Sequence, residues 1–251
     1  MRFVVFLTLL AICSTTEGEE PKPESSVDSN PGAHINVSTI LAAVGTPKCM
    51  RKCIGKLAHT AKKLLRFTDV IDDFHNLCSA HESADLCLEN RSFCGQRKIY
   101  DVVTSSIGYA CNEKRDTFRL VEPCLKPAIN TILTNCDDKC HLRSNLSELS
   151  VNPSVQFAAK LGGNMLIVAD HLQSFCSSAR CILPCIREEV EKVCPLSGLL
   201  IADVLLQPFD AASRVYSSAQ PILKEMIRQK MGSECIILIE PDTLAHLRKG
   251  I

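Results

Sequence analysis

The chain has no Trp and only three Tyr, and aromatics make up 5% of its residues. A stacking platform for bases or sugar rings is therefore poorly provided for. Neither charge sign prevails: 28 basic residues stand against 28 acidic ones, with no basic block. That balance gives no electrostatic footprint for nucleic acid or for an anionic membrane surface, so no nucleic-acid partner is expected. Long apolar runs are missing as well. The run from Phe3 to Ile12 is roughly half of the ~18 residues a span needs. The later runs, Leu199 to Leu206 and Cys235 to Ile239, are short and bounded by Pro208, Glu234 and Glu240. No membrane anchor is expected.

Catalytic signatures are also lacking. There is no G-x-S-x-G, and the lone Ser-Gly dipeptide is Ser197-Gly198. The adjacent acids Asp72-Asp73, Asp137-Asp138 and Glu188-Glu189 diverge on a helix and read as solvated faces. The nearest approach to a ligand cluster is His75, Cys78 and His81 at helical spacing. With Cys78 expected to be oxidised, both His are expected on a solvated helix edge. Neither an enzyme, a metal site nor a cofactor is expected.

What the chain has in quantity is cysteine. Met1-Arg2, the apolar Phe3–Ile12 and the small residues of Thr16-Glu17-Gly18 read as a cleaved secretory signal over residues 1–18. Of 15 cysteines, Cys13 would leave with it. The remainder is an even set: Cys49, Cys53, Cys78, Cys87, Cys94, Cys111, Cys124, Cys136, Cys140, Cys176, Cys181, Cys185, Cys194 and Cys235. In a secreted chain such a set predicts up to seven disulfides, of a connectivity that sequence alone does not give.

Residues 19–46 carry clustered Pro, Ser and acids ("EEPKPESSVDSNPGAH"). Their composition is that of a disordered arm. From Pro47 onward apolar residues recur at three and four, as in Cys49, Cys53, Ile54, Leu57, Ala61, Leu64 and Leu65. Thr68 is the expected N-cap of the next helix, with Asp69 and Asp72 in its first turn. Further helices are expected over 84–90, 99–111, 113–121, 126–140, 154–175, 179–193 and 199–230, with breaks at Gly95, Pro123, Pro153, Pro195 and Pro208. Gly162-Gly163 is expected where two helices meet or cross closely. Strand patterns are scarce, and only "CIILI" at 235–239 could form a short one. The fold class is mainly α: a disulfide-stapled multi-helix domain over 47–251.

Three cysteine pairs share one spacing: Cys49/Cys53, Cys136/Cys140 and Cys181/Cys185. Four residues apart on a helix, two cysteines share a face and point the same way, so a bond within a pair would distort the helix. Each pair is expected to reach cysteines on other helices. Thioredoxin-like chemistry needs two intervening residues and a preceding strand, and neither is present.

The segment "YDVVTSSIGYACNEKRDTFRLVEPCLKPAINTILTNCDDKC", residues 100–140, resembles the chondroitin proteoglycan 4 domain of nematode secreted proteins. The likeness rests on Thr104, Ser105, Tyr109, Cys111, Glu113, Arg115, Phe118, Cys124, Cys136 and Cys140, with Ser106 standing where the family pattern has Gly. It extends to "CMRKCIGKL", "LCSAHESADLCL" and "CILPCIREEVEKVCPLSG", and so covers most of 47–240. The resemblance implies an extracellular nematode protein of egg, cuticle or secreted fluid. Attached chondroitin is not expected, because Ser197-Gly198 runs into Leu199, Leu200 and Ile201.

Asn36, Asn90 and Asn145 are N-glycosylation acceptors expected in the arm or in exposed loops, whereas Asn152 is excluded by Pro153. The expected function is that of a secreted, non-enzymatic domain. It would act by binding an extracellular protein or glycan, or by structural presence in a matrix. The alternative is a carrier of lipid or another small apolar molecule in a cavity behind faces such as Leu199, Leu200, Val204, Leu205 and Leu206.

Overall fold

A computed structural model describes residues 35–94 and 97–249 of the chain. The expected signal and the first part of the arm, residues 1–34, lie outside the described residues. Within them the secondary structure is entirely helical, with no strand. Cys235–Ile239, the one candidate strand, falls on the short helix α14 (Ser233–Ile237) and the turn after it, with Cys235, Ile236, Leu238 and Ile239 buried.

The folded region begins earlier than composition indicates. Helix α1 (Val37–Ala43) lies inside the segment expected to be disordered, and Ile35, Val37, Ile40, Leu41 and Val44 are buried in the core. Averaging over residues 19–46 hides an apolar stripe that starts at Ile35. The turn after α1 meets the chain between α9 (Pro153–Lys160) and α10 (Met165–Ala169). There Gly45, Gly162 and Gly163 all have positive φ, and a Cβ on Gly163 would lie 2.1 Å from the Gly45 Cα. Only glycines allow two backbones so close. The Asn164 amide then donates to the Ala43 carbonyl at 2.7 Å, which fixes the corner. The glycine pair is a junction of helices, as expected.

Helices α2 (Lys48–Leu64) and α3 (Val70–Glu89) form a hairpin. Lys62 and Lys63 close α2, where cations suit the negative helix end. The expected helix over 84–90 is the continuation of α3. Thr68 does not cap α3: Asp69 holds the cap position without a side-chain hydrogen bond. Asn130 of α7 (Ile129–Cys140) supplies the cap, its Oδ1 accepting from the Val70 amide at 3.2 Å and its Nδ2 donating to the Thr68 carbonyl.

Helix α4 (Arg97–Val103), the single turn α5 (Ser105–Gly108) and a π-helical turn (Tyr109–Glu113) lead into α6 (Arg115–Leu125). Helix α8 (Leu142–Val151) follows α7 after His141, which is left-handed at φ 57. Helix α11 (Gln173–Val193) buries Phe175, Cys176, Ala179, Ile182, Leu183, Ile186 and Val190. This stripe, at spacings of three and four, lets it pack against α7, α8, α12 (Ser197–Ser217) and α14. Helices α13 (Pro221–Lys230) and α15 (Pro241–Lys249) complete the chain.

Two expected breaks are not breaks. Pro123 lies inside α6 and Pro208 inside α12. Each lacks a backbone donor. Pro208 is buried beside Leu206 and Phe209, and tertiary packing carries α12 through it. Pro153, in contrast, opens α9, with Asn152 accepting from the Ser154 and Val155 amides.

Candidate functional site

Twelve of the fourteen cysteines among the described residues form six bridges, and none joins the two members of one pair. The pair on α7 faces the pair on α11: Cys136 bonds Cys185, and Cys140 bonds Cys181, with Cα separations of 5.8 and 5.5 Å. As one helix ascends the other descends, so the two rungs define an antiparallel ladder. Cys53 bonds Cys87 across the α2–α3 hairpin, and Cys78 bonds Cys111 of the π-helical turn. Cys124 bonds Cys194, and Cys176 bonds Cys235. Cys49 and Cys94 stand unbonded.

Above the Cys78–Cys111 bridge, α3 and α6 part to leave a cleft of about 220 Å³. Ile71, Phe74, Phe118 and Leu125 line it, with the Phe74 and Phe118 rings 5.2 Å apart. At its rim His75 Nε2 lies 3.1 Å from Glu122 Oε2, and Arg115 and Arg119 add two guanidinium groups. Arg115 Nε donates to the Cys111 carbonyl at 2.8 Å, so the bridge and the rim are tied together. Ser79 also borders the cleft, but its hydroxyl donates to the His75 carbonyl and not to the imidazole. Serine, histidine and acid are therefore neighbours without the nucleophile–base hydrogen bond that acyl transfer requires. The cleft combines an apolar floor with a rim that carries Arg115, Arg119, His75 and Glu122.

A second void is smaller. The void among Leu41, Met50, Ile54, Leu57, Tyr100 and Val103 is about 10 Å³, space for about one water. Val204 and Leu206, counted above among the walls of a carrier cavity, are buried in packing, and Leu199 is exposed.

Several expected surface groups lie elsewhere. His75 is exposed as expected, but His81 is 6% exposed, its ring stacked on Tyr100 and its Nδ1 3.4 Å from Asp85 Oδ2. Asp137 is not on a solvated face: it is buried, 2.6 Å from Arg143 Nε. Tyr109 donates to Asp203, which with Asp210 also accepts from Arg248 of α15. Burial, and then the hydrogen bond to Asp203, pushes the Tyr109 phenol up from its ordinary range.

The acceptor asparagines divide. Asn36 caps α1 with its Oδ1 and is exposed, and Asn90 is the exposed C-cap of α3. Asn145 is not in a loop. It lies in α8, half-buried, and its Nδ2 donates to the Ser174 carbonyl and to Ser178 Oγ. Ser197 is fully buried, and a Cβ at Gly198 would lie 2.6 Å from the Arg187 carbonyl. Among the described residues no group of His, Cys, Asp and Glu is placed to hold a metal ion, and no helix is long and apolar enough to cross a membrane.

The fold and site define a disulfide-laddered, all-helical domain with a small surface cleft. The family model "Chondroitin proteoglycan 4" matches residues 38–243, and the chain belongs to that family. It is similar to Chondroitin proteoglycan 4 of Caenorhabditis briggsae, 19% identical over 230 residues that cover 70% of this chain and 34% of the relative. It is similar as well to Chondroitin proteoglycan 4 of Caenorhabditis elegans, 19% identical over 240 residues that cover 74% and 31%. The chain thus spans about a third of the length of these curated relatives. No solved structure gives a significant match.

Proposed function

We propose that this protein is a secreted, non-enzymatic component of an extracellular, matrix-related layer of a nematode, acting by binding or by structural presence. The observation that carries this reading is the bridging of helix to helix by six disulfides. Such bonds persist in oxidising compartments outside the cytosol. Each restricts the unfolded chain by about 2 to 4 kcal/mol, which suits a protein that must resist unfolding and digestion. Family membership supports the same reading, since the relatives are named as proteoglycans. Immunolabelling of intact, unpermeabilised tissue from the producing animal tests it. Label in an extracellular layer is expected, and label confined to the cytosol after permeabilisation would sink the proposal.

The cleft over Cys78–Cys111 favours one second reading, a carrier of a small ligand. Its 220 Å³ is below the ~300–1,000 Å³ of pockets that enclose drug-sized molecules. The ligand is therefore a short apolar acid rather than a whole lipid, with its acidic group at Arg115 and Arg119. Native mass spectrometry with added short-chain fatty acids checks this. One bound acid, lost in Phe118→Ala, supports carriage, and equal binding by wild type and variant removes the cleft from consideration.

A further inference from the structure

Among the described residues Cys49 and Cys94 are the two cysteines left outside the bridges, and the fold brings them together. Cys49 Sγ lies 3.7 Å from the Cys94 carbonyl oxygen, although the two residues are 45 apart in sequence. Hydrogen bonding to the Cys49 side chain, then burial, pushes the Cys94 thiol up from its ordinary range.

We propose that Cys49 and Cys94 form a seventh disulfide, the second rung of a ladder between α2 and the end of α3. The first rung is Cys53–Cys87. Cys49 lies one turn before Cys53 on the same face of α2, so its partner must lie beyond Cys87 along the antiparallel α3. Helix α3 stops at Glu89, and the 3-10 turn Ser92–Cys94 folds the chain back to place Cys94 there. The arrangement repeats the ladder in which Cys136 and Cys140 meet Cys185 and Cys181. All three C-x3-C pairs then do one job, each cysteine reaching across to another helix or its end.

The oxidant is a small-molecule or protein disulfide of the secretory pathway. Cys49, half-exposed, attacks one sulfur of that disulfide as its thiolate and releases one oxidant thiolate. Cys94, 6% exposed, loses its proton, attacks Cys49 Sγ and displaces the second oxidant thiolate. Two protein thiols are oxidised to one disulfide, one oxidant disulfide is reduced to two thiols, and the two protons end on those thiols.

The test uses the full chain secreted from a eukaryotic host. Alkylation of the denatured, unreduced protein should label no cysteine. A tryptic map without reduction, cut after Arg51 and Lys52 and again after Arg91, should link the Cys49 peptide to the Cys94 peptide, separately from the Cys53–Cys87 pair. Full labelling of Cys49 and Cys94, or a link from either to any other cysteine, would overturn the assignment. As a check that does not depend on the map, Cys49→Ser should expose one alkylatable thiol, at Cys94, with the other six bridges intact. No new thiol in that variant, or a thiol at another cysteine, would equally refute it.

Discussion

Asp137 and Arg143 form a buried ion pair across the α7–α8 turn, Arg143 Nε lying 2.6 Å from Asp137 Oδ2 with each side chain 5% exposed. Asp137 Oδ1 also accepts from the Arg143 amide at 2.9 Å, and the guanidinium stacks 4.5 Å over the ring of Phe67. Phe67, at φ 58, and His141, at φ 57, are left-handed residues that flank this pair. Removing one partner leaves a buried charge uncompensated, which costs about 3–5 kcal/mol, whereas replacing both by apolar groups is often close to neutral. Asp137→Asn should therefore lower Tm by about 10 °C. Asp137→Leu combined with Arg143→Met should regain most of that. Thermal unfolding followed by circular dichroism reads both, and a single variant that melts with the wild type would refute this account of the turn.

The α7–α11 ladder predicts a particular crossing. Trypsin cuts after Lys139 and separates Cys136 from Cys140. Gas-phase cleavage before Pro184 then separates Cys181 from Cys185. Mass spectrometry should find Cys136 with Cys185 and Cys140 with Cys181. The opposite pairing, Cys136 with Cys181, would require the two helices to run parallel and would contradict the fold.

N-glycosylation should follow side-chain accessibility. Asn36 and Asn90 are exposed, and in protein from a secretory host Asn36→Gln and Asn90→Gln should each remove one glycan. Asn145→Gln should remove none, because both Nδ2 hydrogens are engaged by Ser174 and Ser178. Glycosidase-dependent mass loss from the wild type that disappears in the Asn145 variant would contradict that geometry.

Chondroitinase should leave the mass of this chain unchanged, since its Ser-Gly dipeptide is closed on both sides. Ser197 donates to Cys194 Sγ at 3.0 Å and has no exposed surface, and Gly198 lies against the Arg187 carbonyl. A chondroitinase-sensitive smear that vanishes in Ser197→Ala would show that the dipeptide is modified before it folds.

Tyr109 gives a pH dependence with a definite sign. Its phenol is raised in the folded chain, first by burial and then by the bond to Asp203, so folding favours the neutral form. The resulting stability is complete below the unfolded phenol pKa of about 10. It is lost as pH rises through the higher folded value. Absorbance titration of the phenolates should place Tyr109, identified as the transition missing in Tyr109→Phe, above the ordinary phenol range. Ionisation of Tyr109 at or below that range would reverse the sign.

The helical class, the Gly162-Gly163 junction and the reach of the Cys136/Cys140 and Cys181/Cys185 pairs to another helix were legible in the chain, whereas of the Cys49/Cys53 pair only Cys53 is bridged. They depend on spacing, and a helix converts spacing into a shared face without help from the rest of the molecule. The N-terminal limit failed because composition was averaged across polar residues and the apolar stripe of α1, which starts at Ile35. Pro208 failed as a stop because packing around a helix can compensate for one missing backbone donor, and Pro123 stands exposed within α6, without that packing around it. Which cysteine meets which, that Asp137 is buried while Asp138 is not, that Asn130 caps α3 from across the fold, and that a cleft opens over Cys78–Cys111 were decided only by the tertiary structure. Each is a meeting of residues far apart in the chain, or a burial imposed by a neighbouring helix, and local periodicity carries no information about either.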